Sequence, residues 1–225
     1  MSYATATVTL TGALTPGVEA GKESFSAPAE IPGDPAVRVQ LWIPATASSL
    51  KPLQEAKTGD RLLVSGPLSL IEKGNLPRVT ALVVCPAAQE QYVSEALVVG
   101  RIGSDTKTAE SGKSAKRSLA INRYRRDPET DETIEETDWY IVRAFGFNMQ
   151  KLERLNKGAL VQVAGTLSQM TSSKGEPYSE IKARSITVHK NRKGGQGDPA
   201  KGTKATGYDA DAFMGDADDI SLDWD

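Results

Sequence analysis

Two stretches of this chain set aromatic rings among cations. Arg123, Arg125 and Arg126 bracket Tyr124, and Trp139, Tyr140 and Phe145 share one run with Arg143. Trp139 and Phe145 lie six positions apart, so on an unbroken strand they project from one face, with Arg143 in phase and Tyr140 on the other face. Side chains of this kind break no bonds. Rings stack on other flat rings, and guanidinium groups follow phosphates and cover ring faces, so the alternation suits a path along a phosphate backbone. Lys116, Arg101, Lys107, Lys113, Arg117 and Lys157 are the further cations of the region. By themselves these residues leave a second reading open. A ring on an alternating strand is often core, and the arginines could instead pair with the six acids of residues 129–138, a stretch expected to be a solvated loop.

Catalytic chemistry finds no comparable set. With one histidine, His189, and one cysteine, Cys85, there is neither a Ser/His/Asp arrangement nor a cluster of soft metal ligands. No Gly-rich loop runs into Lys-Ser/Thr. Neither an enzyme activity nor a cofactor or metal is expected. Nowhere do 18 apolar residues run together, and the first residues lack the charged and apolar regions of a signal peptide, so a cytoplasmic protein with no membrane partner is expected.

The rings must be positioned by strands. Gly59, Val64, Gly66, Leu68 and Ser69 recur as Gly158, Val163, Gly165, Leu167 and Ser168, all 99 residues later. Alternating apolar runs flank both copies, at 37–43 and 139–145 upstream and at 79–84 and 181–188 downstream. Short helices are expected between them, over 46–57 and 148–156. Each half then reads as three strands, a helix and two strands. That order fits a five-stranded Greek-key barrel of the OB type, although periodicity alone also allows another small barrel, such as an SH3-like one. Gly12, Gly66, Gly100 and Gly165 suit bulges or barrel corners. The fold class expected is therefore all-β: two tandem OB-type barrels, residues 1–93 and 94–189, followed by a disordered tail, 190–225. By the repeat, Trp42 is expected to occupy the place of Phe145.

Charge is segregated along the chain. The net charge is −2, yet residues 207–225 hold seven aspartates and no cation, and the first 206 residues carry 27 basic against 22 acidic side chains. A modestly basic body precedes an acidic tip. Tyr208, Phe213, Met214, Ile220, Leu222 and Trp224 are spaced among the acids, a composition suited to docking in a basic, hydrophobic groove or to folding back over the chain's own basic face. A merely solubilising tail is the alternative.

The second half goes beyond pattern. Leu97-Val-Val-Gly-Arg-Ile-Gly-Ser-Asp, Ser118-Leu-Ala-Ile-Asn-Arg, Glu136-Thr-Asp-Trp-Tyr-Ile-Val-Arg-Ala-Phe-Gly and Lys157-Gly-Ala-Leu-Val-Gln-Val-Ala-Gly-Thr-Leu-Ser resemble, in order and spacing, the bacterial single-stranded DNA-binding protein family over about residues 95–189. The first half is similar in arrangement to the second OB domain of the family's two-domain members. The resemblance implies sequence-independent binding of single-stranded DNA, its protection, and roles in replication, recombination and repair. It places Trp139 and Phe145 where the family stacks bases, Tyr124 within a residue of another stacking position and Tyr178 near a family aromatic, with Met170 or Thr171 replacing a further tryptophan. It also implies a homodimer presenting four OB folds. The acidic tip, with Asp218, Asp219, Ile220, Leu222 and Trp224, resembles the family tail that recruits replication and repair proteins, but the family's terminal Pro-Phe is replaced by Asp219-Ile-Ser-Leu-Asp-Trp-Asp. Two other functions remain open at this point. One is an interaction adaptor whose near-neutral first domain serves assembly, and the other is an RNA-binding OB protein with limited affinity for single-stranded DNA.

Overall fold

Along residues 37–43 every second side chain is buried, as a strand with one face on a core requires. The computed structural model describes residues 2–11, 24–31, 36–44, 52, 55, 60–71, 76–88, 93–104, 106–109, 111–127, 130–172, 175 and 177–191. The strands are β1 (Tyr3–Thr11), β2 (Ser24–Ile31), β3 (Val37–Pro44), β4 (Arg61–Ile71), β5 (Leu76–Thr80), β6 (Val83–Pro86), β7 (Ser94–Ile102), β8 (Lys107–Thr108), β9 (Ser114–Arg126), β10 (Thr133–Phe145), β11 (Leu160–Thr171) and β12 (Pro177–Lys190), with helix α1 (Gly146–Glu153) between β10 and β11.

These strands form one sheet in the order β6-β4-β5-β3-β2-β1-β7-β11-β12-β10-β9-β8, closed twice by β4 returning to β1 and β9 to β7. The first circuit is thus β1-β2-β3-β5-β4 and the second β7-β9-β10-β12-β11, each with its third and fifth strands parallel. Both are the expected five-stranded OB-type barrel. Antiparallel pairing of β1 with β7, from Tyr3 opposite Val99 to Val8 opposite Ser94, joins the two circuits.

Barrel closure depends on glycine at the repeated position. A Cβ on Gly66 would lie 1.8 Å from the Thr80 carbonyl oxygen, and one on Gly165 would lie 2.1 Å from that of Lys182. Any larger residue would hold the bent strands apart at these corners, and the β11–β12 ladder shifts register beside Gly165. Gly100 is similarly close to its neighbour, 2.5 Å from the Ala120 oxygen, whereas Gly12 lies outside the described residues.

Several expected boundaries move. The run 79–84 is not one strand: β5 ends at Thr80, Ala81 N–H donates to Trp42 O and Leu82 N–H to Ser65 O, so the chain leaves β3 and resumes against the start of β4 as β6. Residues 129–138 are not all loop, because β10 begins at Thr133 and zips onto β9. Helix α1 starts at Gly146, two residues before the expected start, and ends before Leu155, although Leu155 is still buried. Of the helix expected over 46–57, only Pro52 and Glu55 are described, both helical.

The inward row of the second barrel, Leu119, Ile121, Tyr140, Val142, Ala144 and Ile181, is at most 1% exposed, and Leu152 of α1 closes its floor. Arg117, included among the surface cations above, is instead buried there. Its guanidinium donates to Ser104 O and to the carbonyls of Leu152 and Leu155 at the end of α1. The Leu152 carbonyl accepts the Leu155 N–H at 3.3 Å and the guanidinium as well, and both carbonyls sit at the negative end of the helix dipole, which is why a cation on the inward face of β9 is tolerated.

Candidate nucleic-acid interface

Because side chains alternate along a strand, the residues between those of the core share the outer face of β9, β10, β12 and β11. On β10 this row is Trp139, Ile141, Arg143 and Phe145, and ladder pairing sets Ala120, Ser118, Lys116 and Ser114 of β9 beside them. Trp139 is partly exposed, with its ring close against Gly103, where a Cβ would lie 2.2 Å from the indole. Phe145 is 45% exposed and Tyr124, farther along β9, 67% exposed. The three rings thus lie on one continuous face. Tyr140 is fully buried on the opposite side, and burial drives its phenol well above the usual range.

The centre of the face is a polar cluster. Arg143 Nε lies 3.1 Å from both carboxylate oxygens of Glu180, which is completely buried. Lys116 Nζ donates to the Tyr178 hydroxyl at 2.8 Å. Burial, and then the Arg143 guanidinium, push the Lys116 ammonium below the ordinary lysine range. Burial, with the Glu180 charge adding to it, raises the Tyr178 phenol. Tyr178 itself is only 6% exposed and packs with Ile141 and Met170, so it supports the face rather than projecting from it. Met170 is there in the position of support too.

The hairpin arginines separate. Arg126 reaches back to Asp131, with Nε 2.6 Å from Oδ1. Arg123 belongs to the opposite parity from Tyr124 and is held by Asp138 at 2.7 Å and Glu136 at 3.2 Å. It therefore lies off the ring-bearing face. The backbone of Arg125 pairs with that of Ile134. In the first barrel, Trp42 is partly buried on β3, but its place differs from the expected one. Val79 pairs with both Leu68 and Leu41, as Ile181 pairs with both Leu167 and Val142, so Trp42 corresponds to Arg143 and Arg38 to Trp139. The upstream runs are offset by 101 residues rather than the 99 of the downstream pattern, which the sequence match alone does not reveal. Asp218, Asp219, Ile220, Leu222 and Trp224 lie outside the described residues.

Two residues of the region are not singled out by the alternation in the sequence. Glu180 is hidden because its partner is 37 positions away on a parallel strand. Phe147, 71% exposed on α1, follows Phe145 across Gly146, whose φ of +50° turns the chain; an aromatic so close behind Phe145 was the available hint.

Residues 93–192 match the Single-strand binding protein family. A search of curated proteins returned no match. Among solved structures, the wild-type single-stranded DNA binding protein from Thermus aquaticus is similar with a TM-score of 0.54 at 14% identity, covering 90% of this chain and 98% of that one. The Plasmodium falciparum SSB in complex with ssDNA is 28% identical over 45% of this chain and 96% of its own, with a TM-score of 0.36. The fold is thus that of the two-barrel Thermus protein, and residues 93–192, the second barrel, are the part of the chain that matches the single-strand binding protein family.

Proposed function

We propose that the chain binds single-stranded DNA without reading its sequence, the bases stacking on Trp139, Phe145 and Tyr124. The observation that carries this reading is the shared outer face of the three rings, with Tyr124 and Phe145 left exposed although burial would stabilise each. Lys116 stands at the centre of that face and Arg126 at its hairpin end, and Lys182, exposed on β12 opposite Arg143, adds a cation. Neither a sequence-reading nor a catalytic set accompanies them among the described residues.

Each barrel is read as a domain, 1–93 and 94–189, the first contributing less because Arg38, Gln40 and Trp42 present one ring where β10 presents two. A homodimer would bring four barrels together. The acidic tip, including Asp218, Asp219, Ile220, Leu222 and Trp224, recruits replication, recombination and repair proteins to DNA covered in this way, within the nucleoid.

Titration of tryptophan fluorescence with oligo-dT, an RNA strand and a duplex of equal length tests the binding. Salt-sensitive preference for the single DNA strand is expected, and Trp139→Ala should weaken it about 5- to 150-fold, matching about 1–3 kcal/mol per stacked base. Equal affinity for duplex and single strand would overturn the reading. Sedimentation of the full chain measures the oligomer.

A further inference from the structure

Beyond Phe145 the surface continues onto the helix. Gly146, at φ +50°, turns the backbone so that Phe147 follows at the start of α1 with 71% of its surface in water. Lys151, one turn on, places Nζ 4.7 Å from the centre of the Phe147 ring and donates to Ile186 O at 3.4 Å. It thereby bridges the ring to an open groove of about 370 Å³ between the end of α1 and β12. The groove has Leu155, Ile186 and Val188 as apolar lining and Lys151 and Arg154 as cations, with no carboxylate among its lining residues. Glu153, the acid of that helix turn, is engaged by the Thr108 hydroxyl.

We infer that Phe147, Lys151 and Arg154 form a second contact segment for single-stranded DNA, taking the strand as it leaves Phe145 and leading it along the groove at the foot of the second barrel. This rests on the binding proposed above. An exposed ring next to cations supplies both requirements of sequence-independent binding, a stacking face and charges for the phosphates. A base seated on Phe147 displaces the Lys151 ammonium from the ring and releases it toward the phosphate that follows. The apolar walls hold sugar and base edges. Because the segment lies past Phe145, only a strand long enough to extend beyond the outer face of β10 reaches it.

Length dependence is therefore the test. The full chain, Phe147→Ala, and the double variant Lys151→Ala/Arg154→Ala are titrated with labelled oligo-dT at the short and long ends of the range of about 4–16 nucleotides per OB fold, at several salt concentrations. The expected result is unchanged affinity for the short strand in all three proteins. For the long strand, Phe147→Ala weakens binding at least about 5-fold, and the double variant lowers the slope of log K against log salt by about 1.4, from about 0.7 per phosphate contact. Ultraviolet crosslinking to Phe147 should occur with the long strand only. Equal losses at both lengths, or none with the long strand, overturn the inference while leaving the outer face intact. Failure of the unaltered chain to bind even the short strand would instead sink the reading on which it rests. Phe147 and Arg154 are exposed and Lys151 is only partly buried, so thermal melting should change little.

Discussion

Arg143 and Glu180 set what the middle of the ring-bearing face can do. Glu180 is fully buried and its carboxylate is answered by Arg143, which is only 15% exposed. A phosphate that drew Arg143 away would leave a buried charge without its counterion, so Arg143 acts first as the partner of Glu180. Arg143→Ala should therefore lower stability by about 3–5 kcal/mol in urea unfolding, the cost of breaking a buried pair from one side. A loss below about 1 kcal/mol would show that the pair contributes no more than a surface bridge. Glu180→Gln has the opposite consequence for binding. With the negative charge gone, Arg143 is free for phosphate, and affinity for oligo-dT should rise while the salt slope steepens by about 0.7. Unchanged slope and affinity would mean Arg143 cannot reach the strand. In the sequence, the alternation of Trp139, Arg143 and Phe145 was enough to place them on one face. The counter-charge was not legible, because a parallel partner on β12 is chosen by tertiary pairing and not by spacing.

At the scale of elements, helix α1 and the barrel corners decide whether the face is presented at all. Arg117 ties the end of α1 to β9 through the carbonyls of Leu152, Leu155 and Ser104. Arg117→Leu takes the donor from the buried carbonyls of Ser104 and Leu155, while that of Leu152 keeps the Leu155 N–H, and should cost about 1–3 kcal/mol for each acceptor that water does not reach, read as a lower urea midpoint, with the salt slope of DNA binding unchanged. A fall in the slope would instead mark Arg117 as a phosphate contact. Gly165→Ala brings a methyl group to within 2.1 Å of backbone, which a side chain cannot relieve by rotating, so the corner must open. The expected loss is at the upper end of the about 1–3 kcal/mol typical of overpacking, or larger. The repeat of Gly66 and Gly165 made the two corners visible in the sequence. The start of β10 was not visible, since six acids read as a solvated loop until β9 supplies arginines opposite them: Arg123 holds Asp138 and Glu136, and Arg126 holds Asp131.

Across the whole molecule the two barrels grip one another in nearly reciprocal fashion. Leu70 N–H at the end of β4 donates to Asp138 of β10, and Arg38 N–H of β3 donates to Gln169 of β11, both at 3.4 Å. Leu70 and Gln169 are themselves 99 residues apart, so the repeat extends to the junction. Asp138 is buried there, and burial raises its carboxyl above the ordinary range despite the neighbouring Arg123 guanidinium. Between the ordinary and the raised value the folded chain holds a proton that the unfolded chain has released, so this group's contribution to stability falls as pH rises through that window. In Asp138→Asn the contribution is absent. The stability of the unaltered chain relative to Asp138→Asn should decline as pH rises from just below 4 through the window, and be level above it. A difference that instead grew with pH would mean that Arg123 outweighs burial.

By itself the sequence determined the local periodicities: alternating strands, two copies of a strand-helix-strand order, the glycines that let strands bend, and an acidic tip on a basic body. These follow from side-chain direction and charge along the chain, which neighbours in sequence settle. Only the tertiary structure decided which residues share the outer face with a partner, that Arg117 and Arg123 are spent on internal contacts, that Trp42 stands in the place of Arg143, and that Phe147 extends the ring-bearing surface. Each of these depends on register between strands far apart in the chain. Register is set by how the whole apolar row fits the barrel, and a shift of two positions keeps every side chain on its own face, so the sequence pattern looks the same, while it changes every neighbour.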